Sequence, residues 1–264
     1  MLGLILLIAA LSSSNTEART ECPDRPVDVL VLGDSQTGGS WATSYFGNFV
    51  QLCLKSHPLA PSFAIYGRGG TQPVDWVNRK SLDSVDVVYR DRDHHQKVLP
   101  GPQKPACLKR LHPLLQGHKP KKLVLFFGDN LLSAETNEIR RQYRLFLQEI
   151  KDSGIAPADC LLVTPTFEME VSTKRNVPSK NITNTRKVLA AIRAEVISDM
   201  SAECRILDGL ELMKSSPLLK HETLRRVAVE GTNGCFQAAA NDNIHICGEA
   251  AREFANRVCA EIRN

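Results

Sequence analysis

The chain has 264 residues, 42% of them hydrophobic and 23% charged. Those proportions suit a globular protein whose core needs neither metal nor oligomerisation, in one domain or, less readily, two. Lys and Arg number 33 against 29 Asp and Glu, a formal charge of +4; so mild an excess fits a polyanion such as an acidic polysaccharide or cell wall and does not call for nucleic acid.

Residues 1–11 are almost wholly apolar and are followed by small and polar residues to position 20. The run is too short to span a bilayer and reads as a signal peptide over 1–18, with Thr16-Glu17-Ala18 as the small-residue cleavage site. A secreted or periplasmic protein without stable membrane insertion is expected, with residues 19–264 forming one domain. Eight cysteines follow the signal: Cys22, Cys53, Cys107, Cys160, Cys204, Cys235, Cys247 and Cys259. An even number in an oxidising compartment predicts four disulfides and no free thiol. The absence of any CxxC pair argues against zinc. Cys235–Cys247 is the expected bridge around Asp242; the spacing does not choose the other pairs.

Five short apolar runs follow in order: 27–32 (VDVLVL), 62–66 (SFAIY), 122–127 (KLVLFF), 160–164 (CLLVT) and 204–207 (CRIL). They end at Gly33, Gly67, Gly128, Pro165 and Asp208. Runs that are apolar on both faces suit buried parallel strands. Helical stripes lie between and after them. Phe46, Phe49, Val50 and Cys53 form one. Ile139, Tyr143, Phe146 and Ile150 form another, with Ser133 as its expected cap and Gly154 as its stop. Leu189, Ile192, Val196 and Met200 make a third, and Ala251, Phe254, Ala255, Val258 and Ile262 the last. The alternation predicts a flavodoxin-like three-layer α/β/α fold with a parallel, doubly wound sheet of about five strands. Ligands of such sheets bind beyond the carboxyl ends of the strands. Segments 71–103 and 212–241 break the alternation and are expected as long loops over the site. The basic residues within 104–122 read as a solvated face. Asn181-Ile182-Thr183 is a glycosylation sequon.

Two clusters have the residue types that chemistry needs. In Gly33-Asp34-Ser35-Gln36-Thr37-Gly38-Gly39 a serine sits at a strand end ahead of a helix, where backbone N–H groups face developing negative charge. It is no P-loop, since no Gly-Lys-Ser/Thr follows, and its glycines do not match G-x-G-x-x-G. In Asp242-Asn243-Ile244-His245, just before the last helix, a histidine can act as general base and an aspartate can orient it. His94 and His95 beside Asp91 and Asp93 are a weaker metal candidate, read as solvated surface. Cys247, near His245, reads as a disulfide cysteine.

Together these blocks resemble the SGNH hydrolases, the GDSL-like esterases. Their first block matches Gly33-Asp34-Ser35-Gln36. Their second matches Gly70, with Gly67 and Gly69 as close alternatives. Their third matches Gly128-Asp129-Asn130, with Leu131 where aspartate is common. Their last matches Asp242 and His245. The resemblance implies Ser35 as nucleophile, His245 as base and Asp242 as its orienting partner. It implies an oxyanion hole from the Ser35 and Gly70 N–H groups and the Asn130 side chain, and no cofactor or metal. The polar character of the two long segments points to acetyl groups on a carbohydrate polymer such as peptidoglycan; Trp41 and Trp76 could stack on sugar rings, although core packing is the expected job for either one. The alternatives are a lipase-like or lysophospholipase-type esterase, or a non-catalytic glycan-binding or acyl-transferring relative.

Overall fold

The computed structural model describes residues 25–38, 46–78, 86–90, 96–99, 110–153, 159–165, 181–198, 204–214 and 248–263. The five apolar runs form strands β1 (Val29–Gly33), β2 (Phe63–Gly67), β5 (Lys122–Phe126), β6 (Asp159–Val163) and β7 (Cys204–Leu207). They lie side by side in the order β2-β1-β5-β6-β7, and every neighbouring pair is parallel. Alternate residues of each strand face opposite layers. Val29 and Val31 of β1, with Val124 and Phe126 of β5, pack under Phe46, Phe49 and Phe254. Leu30 and Leu32, with Leu123 and Leu125, pack against Trp76, Leu115, Ile139, Phe146 and Ile192. Both faces of the sheet are thus buried, which is why each run is apolar throughout.

Helices α1 (Phe46–Lys55) and α7 (Gly248–Arg263) cover the first face. Helices α2 (Pro73–Val77), α3 (Leu111–His118), α4 (Thr136–Asp152) and α5 (Asn181–Ser198) cover the second. A short α6 (Gly209–Lys214) follows β7. This is the doubly wound three-layer architecture that the alternation predicts. Among the described residues, no helix is long and apolar enough to cross a membrane.

The structure corrects the sequence reading in two places. Segment 71–103 is not a plain loop: it contains α2, and strands β3 (Asp86–Arg90) and β4 (Gln96–Leu99) extend the sheet at the β2 edge. These two are antiparallel, so the sheet has seven strands, five of them parallel. Helix α4 starts with Glu135 at its N-cap, not Ser133, and ends at Ser153. Within the basic run, Leu111, Leu114, Leu115 and His118 form the buried side of α3, while Arg110, Lys119 and Lys121 are exposed as expected. His118 joins the Tyr66 hydroxyl at 2.7 Å and the Arg25 carbonyl at 2.8 Å.

Two disulfides lie among the described residues. Cys160–Cys204 joins β6 to β7 at directly opposed positions. Cys53–Cys259 joins α1 to α7 across a sequence separation of 206 residues. Cys22, Cys107, Cys235 and Cys247 lie outside the described residues, and so do the expected Cys235–Cys247 bridge and the signal segment. Closing a loop as long as that between α1 and α7 restricts the unfolded chain strongly. The double variant Cys53→Ala/Cys259→Ala should lose about 2–5 kcal/mol of unfolding free energy in unreduced guanidinium melts. An unchanged midpoint would show that α1 and α7 are held by packing alone.

Candidate active site

β1, β2 and β5 end level with one another. Gly33 is the register partner of Gly67 on one side and of Phe126 on the other. The three following turns therefore leave the sheet together, at the edge where doubly wound folds bind ligands.

The turn after β1 folds around Asp34. Its carbonyl accepts hydrogen bonds from the Thr37 and Gly38 N–H groups at 3.1 and 2.9 Å. Its carboxylate Oδ1 accepts the Gln36 N–H at 3.0 Å. Its own N–H donates to the Phe126 carbonyl at 3.3 Å, which ties the turn to β5. Asp34 is a turn former of the kind that bonds its own backbone two residues on. Ser35 sits on this turn with 8% of its surface exposed. The Gln36 carbonyl takes the Gly47 N–H at 3.1 Å, so the turn also anchors the first turn of α1.

The turn after β2 approaches so closely that a Cβ on Gly67 would lie 2.0 Å from the Gly38 nitrogen. The Arg68 N–H donates to the Gly33 carbonyl at 3.2 Å. The structure gives the three glycines of this turn different positions. Gly67 makes the backbone contact. Gly69 faces the serine, since a Cβ there would stand 3.7 Å from the Ser35 Cβ. Gly70 has φ +74° and faces open space.

The turn after β5 begins at Gly128, whose φ of +132° lies where side chains are rarely tolerated. A 3-10 turn over Asp129–Leu131 follows. The Asn130 Nδ2 donates to the Thr71 carbonyl at 2.9 Å and, more weakly, to Asp34 Oδ2 at 3.4 Å. Leu131, the departure from the usual aspartate, is wholly buried in the core beside α4. Ser35, the 67–70 turn and Asn130 are thus brought together from three adjacent strands.

The Asp34 carboxyl is pushed up to about 7 from an ordinary 3.8, because burial disfavours its charge more than the Gln36 and Gly128 N–H groups favour it. Tyr143, whose hydroxyl donates to the Phe127 carbonyl at 2.9 Å, is raised well above its usual value by burial and by the nearby Asp34 and Asp129.

Asp242, His245, Trp41, and the His94–His95 pair with Asp91 and Asp93 lie outside the described residues. Helix α7, which begins at Gly248 soon after His245, is fixed to α1 by packing and by the Cys53–Cys259 bridge. Trp76 is fully buried, with its indole nitrogen 3.4 Å from Thr71 Oγ1, so it is a core residue and not a sugar platform. Among the described residues, no group of three or more His, Cys, Asp or Glu could hold a metal. Sequence reasoning passed over Gln72, which bonds to the Asn130 turn, and Gln142, which bonds to Gln72. Gln72 had a signal, since a polar residue before Pro73 marks a helix start.

No family model and no curated protein matches the chain. Solved structures do. A lipase/acylhydrolase from Enterococcus faecalis superimposes with a TM-score of 0.52 at 16% identity, covering 89% of this chain and 95% of that one. A carbohydrate acetylesterase family member from Sinorhizobium meliloti gives 0.51 at 13% identity, covering 89% and 97%. An aryl esterase from M. smegmatis gives 0.50 at 13% identity, again covering 89% and 97%. The chain shares the three-layer α/β/α fold of these structures. In that fold, the level ends of β2, β1 and β5 bring the turn that holds Ser35 and the turn that holds Asn130 together, with the Asn130 Nδ2 3.4 Å from Asp34 Oδ2.

Asp34 supplies a direct test of this site's electrostatics. Between pH 4 and about 7 the folded protein keeps a proton on Asp34 that the unfolded chain has released. A raised acid pKa therefore removes stability as pH rises, by about 1.4 kcal/mol per unit. Asp34→Asn retains the acceptor for the Gln36 N–H and carries no charge. Its stability relative to the parent should improve by about 2 kcal/mol between pH 5 and pH 7 in guanidinium melts. An equal difference at both pH values would mean that the carboxyl titrates normally.

Proposed function

We propose that the protein is a secreted serine esterase of the SGNH kind, with Ser35 as nucleophile, His245 as general base and acid, and Asp242 as the partner that orients His245. The observation that carries this reading is the meeting of Ser35, the Gly69–Gly70 turn and Asn130 at one sheet edge. The likeness in fold to a lipase/acylhydrolase, a carbohydrate acetylesterase family member and an aryl esterase supports it. Buried disulfides suit an oxidising compartment.

The Ser35 hydroxyl attacks the ester carbonyl and its proton passes to His245. The carbonyl oxygen, now negative, is received by the Ser35 and Gly70 N–H groups and the Asn130 amide. The Asn130 contact to Asp34 is long and weak at 3.4 Å, so its N–H is released to the oxyanion at little cost. The carbon–oxygen bond to the alcohol then breaks and His245 protonates the leaving oxygen. Water, deprotonated by His245, attacks the acyl carbon; the bond to the Ser35 oxygen breaks, His245 returns the proton to that oxygen, and the acyl group leaves as a carboxylic acid. No step requires a cofactor.

Within this chemistry we read the substrate as an O-acetylated carbohydrate polymer such as peptidoglycan. The carbohydrate acetylesterase likeness and the net charge of +4 favour it. A lipase-like activity is the second reading, favoured by the lipase/acylhydrolase likeness. Each methylene of an acyl chain gains about 0.8 kcal/mol only where it is buried. On the acetyl reading, kcat/KM falls from acetyl to octanoyl p-nitrophenyl esters and acetate is released from O-acetylated polysaccharide. A rise with chain length and no acetate release would select the lipase-like reading. Ser35→Ala should reduce turnover at least about a thousandfold, and Asn130→Ala about a hundredfold, with the fold retained. Parental rates in Ser35→Ala at matched folded concentration would remove Ser35 as the nucleophile, whereas no ester turnover by the parent itself would leave the binding relative in its place.

A further inference from the structure

Asn130 stands on one turn of 3-10 helix, an element with poor hydrogen-bond geometry of its own. A donor that must meet a developing charge needs a firmer mounting. The adjoining turn provides it from two sides. The Thr71 carbonyl takes the Asn130 side-chain amide at 2.9 Å, and the Gln72 Nε2 donates to the Asn130 backbone carbonyl at 2.9 Å. Gln72 is fixed in turn. Its N–H donates to Asp75 Oδ2 at 2.8 Å, and its Oε1 accepts the Gln142 Nε2 at 2.6 Å. Gln142 also donates to Glu138 Oε1 at 2.9 Å, and Arg141 holds Glu138 with two contacts of 2.7 Å. The Arg141 and Gln142 hydrogen bonds hold the Glu138 carboxyl down at about 2, so it remains an acceptor throughout the neutral range.

Gln142 is out of place by packing criteria. It is 2% exposed, on the same buried side of α4 as Ile139, Tyr143 and Phe146. Its Oε1 has no hydrogen-bond partner among the described residues. A buried amide with an unmet acceptor is costly, and an apolar residue of the same size would remove that cost. Residues that break a packing rule with only part of their polar groups compensated are expected at functional positions.

Resting on the esterase reading, we propose that Gln72 and Gln142 are positioning residues that aim Asn130 at the oxyanion. The bond direction is fixed along the chain: Gln142 donates to Gln72, and Gln72 donates to Asn130. Gln72→Glu has the same shape but, ionised at pH 8, has no proton to donate to the Asn130 carbonyl. Gln142→Leu removes the support behind it.

The test is a kinetic cycle on p-nitrophenyl acetate at pH 8, with thermal melts to establish that each variant is folded. Gln72→Glu and Gln142→Leu should each lower kcat about tenfold, as expected for a misplaced donor, while KM stays within about twofold. In an Asn130→Ala background neither should lower kcat further. The side-chain amide resonances of Asn130, followed by NMR in the inactive Ser35→Ala protein, should shift or broaden in both variants. Unchanged kcat, or losses that multiply with Asn130→Ala, would overturn the proposal. So would unmoved Asn130 resonances, which decide the matter also where Gln142→Leu does not fold, through Gln72→Glu alone. If the parent protein hydrolyses no ester, the esterase reading fails, and the NMR result still settles whether the two glutamines hold Asn130.

Discussion

The turns after β1 and β2 touch backbone to backbone at Gly38 and Gly67. A Cβ on Gly67 would lie 2.0 Å from the Gly38 nitrogen and 2.4 Å from its Cα. Any larger residue there would push the turns apart, since the obstructing atoms are backbone and cannot rotate away. Their closeness brings Gly69 against Ser35 and lets Arg68 donate to the Gly33 carbonyl. The third turn is close-fitted too, because a Cβ on Gly128 would meet the Pro165 ring at 2.9 Å. Position at the sheet edge is therefore set by glycines in the turns, while the sheet itself is set by the apolar runs that precede them.

Within that frame Asp34 is the hub. It bonds forward within its own turn, back to β5 through its N–H, and sideways to Asn130 through its carboxyl. Its burial raises its pKa to about 7, so the turn that holds Ser35 contains a carboxyl whose charge is costly. The amides of Gln72 and Gln142 extend this polar network away from the sheet edge to the surface of α4. Such a network rigidifies when its members are satisfied, and nearly all of them are.

The parallel strands were legible because burial on both faces demands unbroken apolar runs, and each observed strand falls within a residue or two of its run. Helices α4 and α7 were legible through stripes of wide spacing, and α5 through Leu189 and Ile192, the members of its stripe among the described side chains. The hairpin β3–β4 was not, because the 71–103 segment that contains it is dense in charge and carries no comparable apolar run. Helix α2 is only five residues long and α3 contains Pro113, so neither shows a helical period. In the site, Ser35 and Asn130 were legible as motif residues that follow strands. The separate positions of Gly67, Gly69 and Gly70 were not, since spacing alone cannot tell a backbone contact from an open-facing turn. Gln72 and Gln142 lie 70 residues apart, and only the packing of α2 on α4 joins them.

The central claim is that Ser35 is a nucleophile set against prepared donors. It is tested most directly by treating the protein with a fluorophosphonate and mapping the adduct by mass spectrometry. One adduct per chain on Ser35, formed faster as pH rises through the histidine range and absent in His245→Ala, is the predicted result. Failure to label, or labelling of another residue, would contradict it.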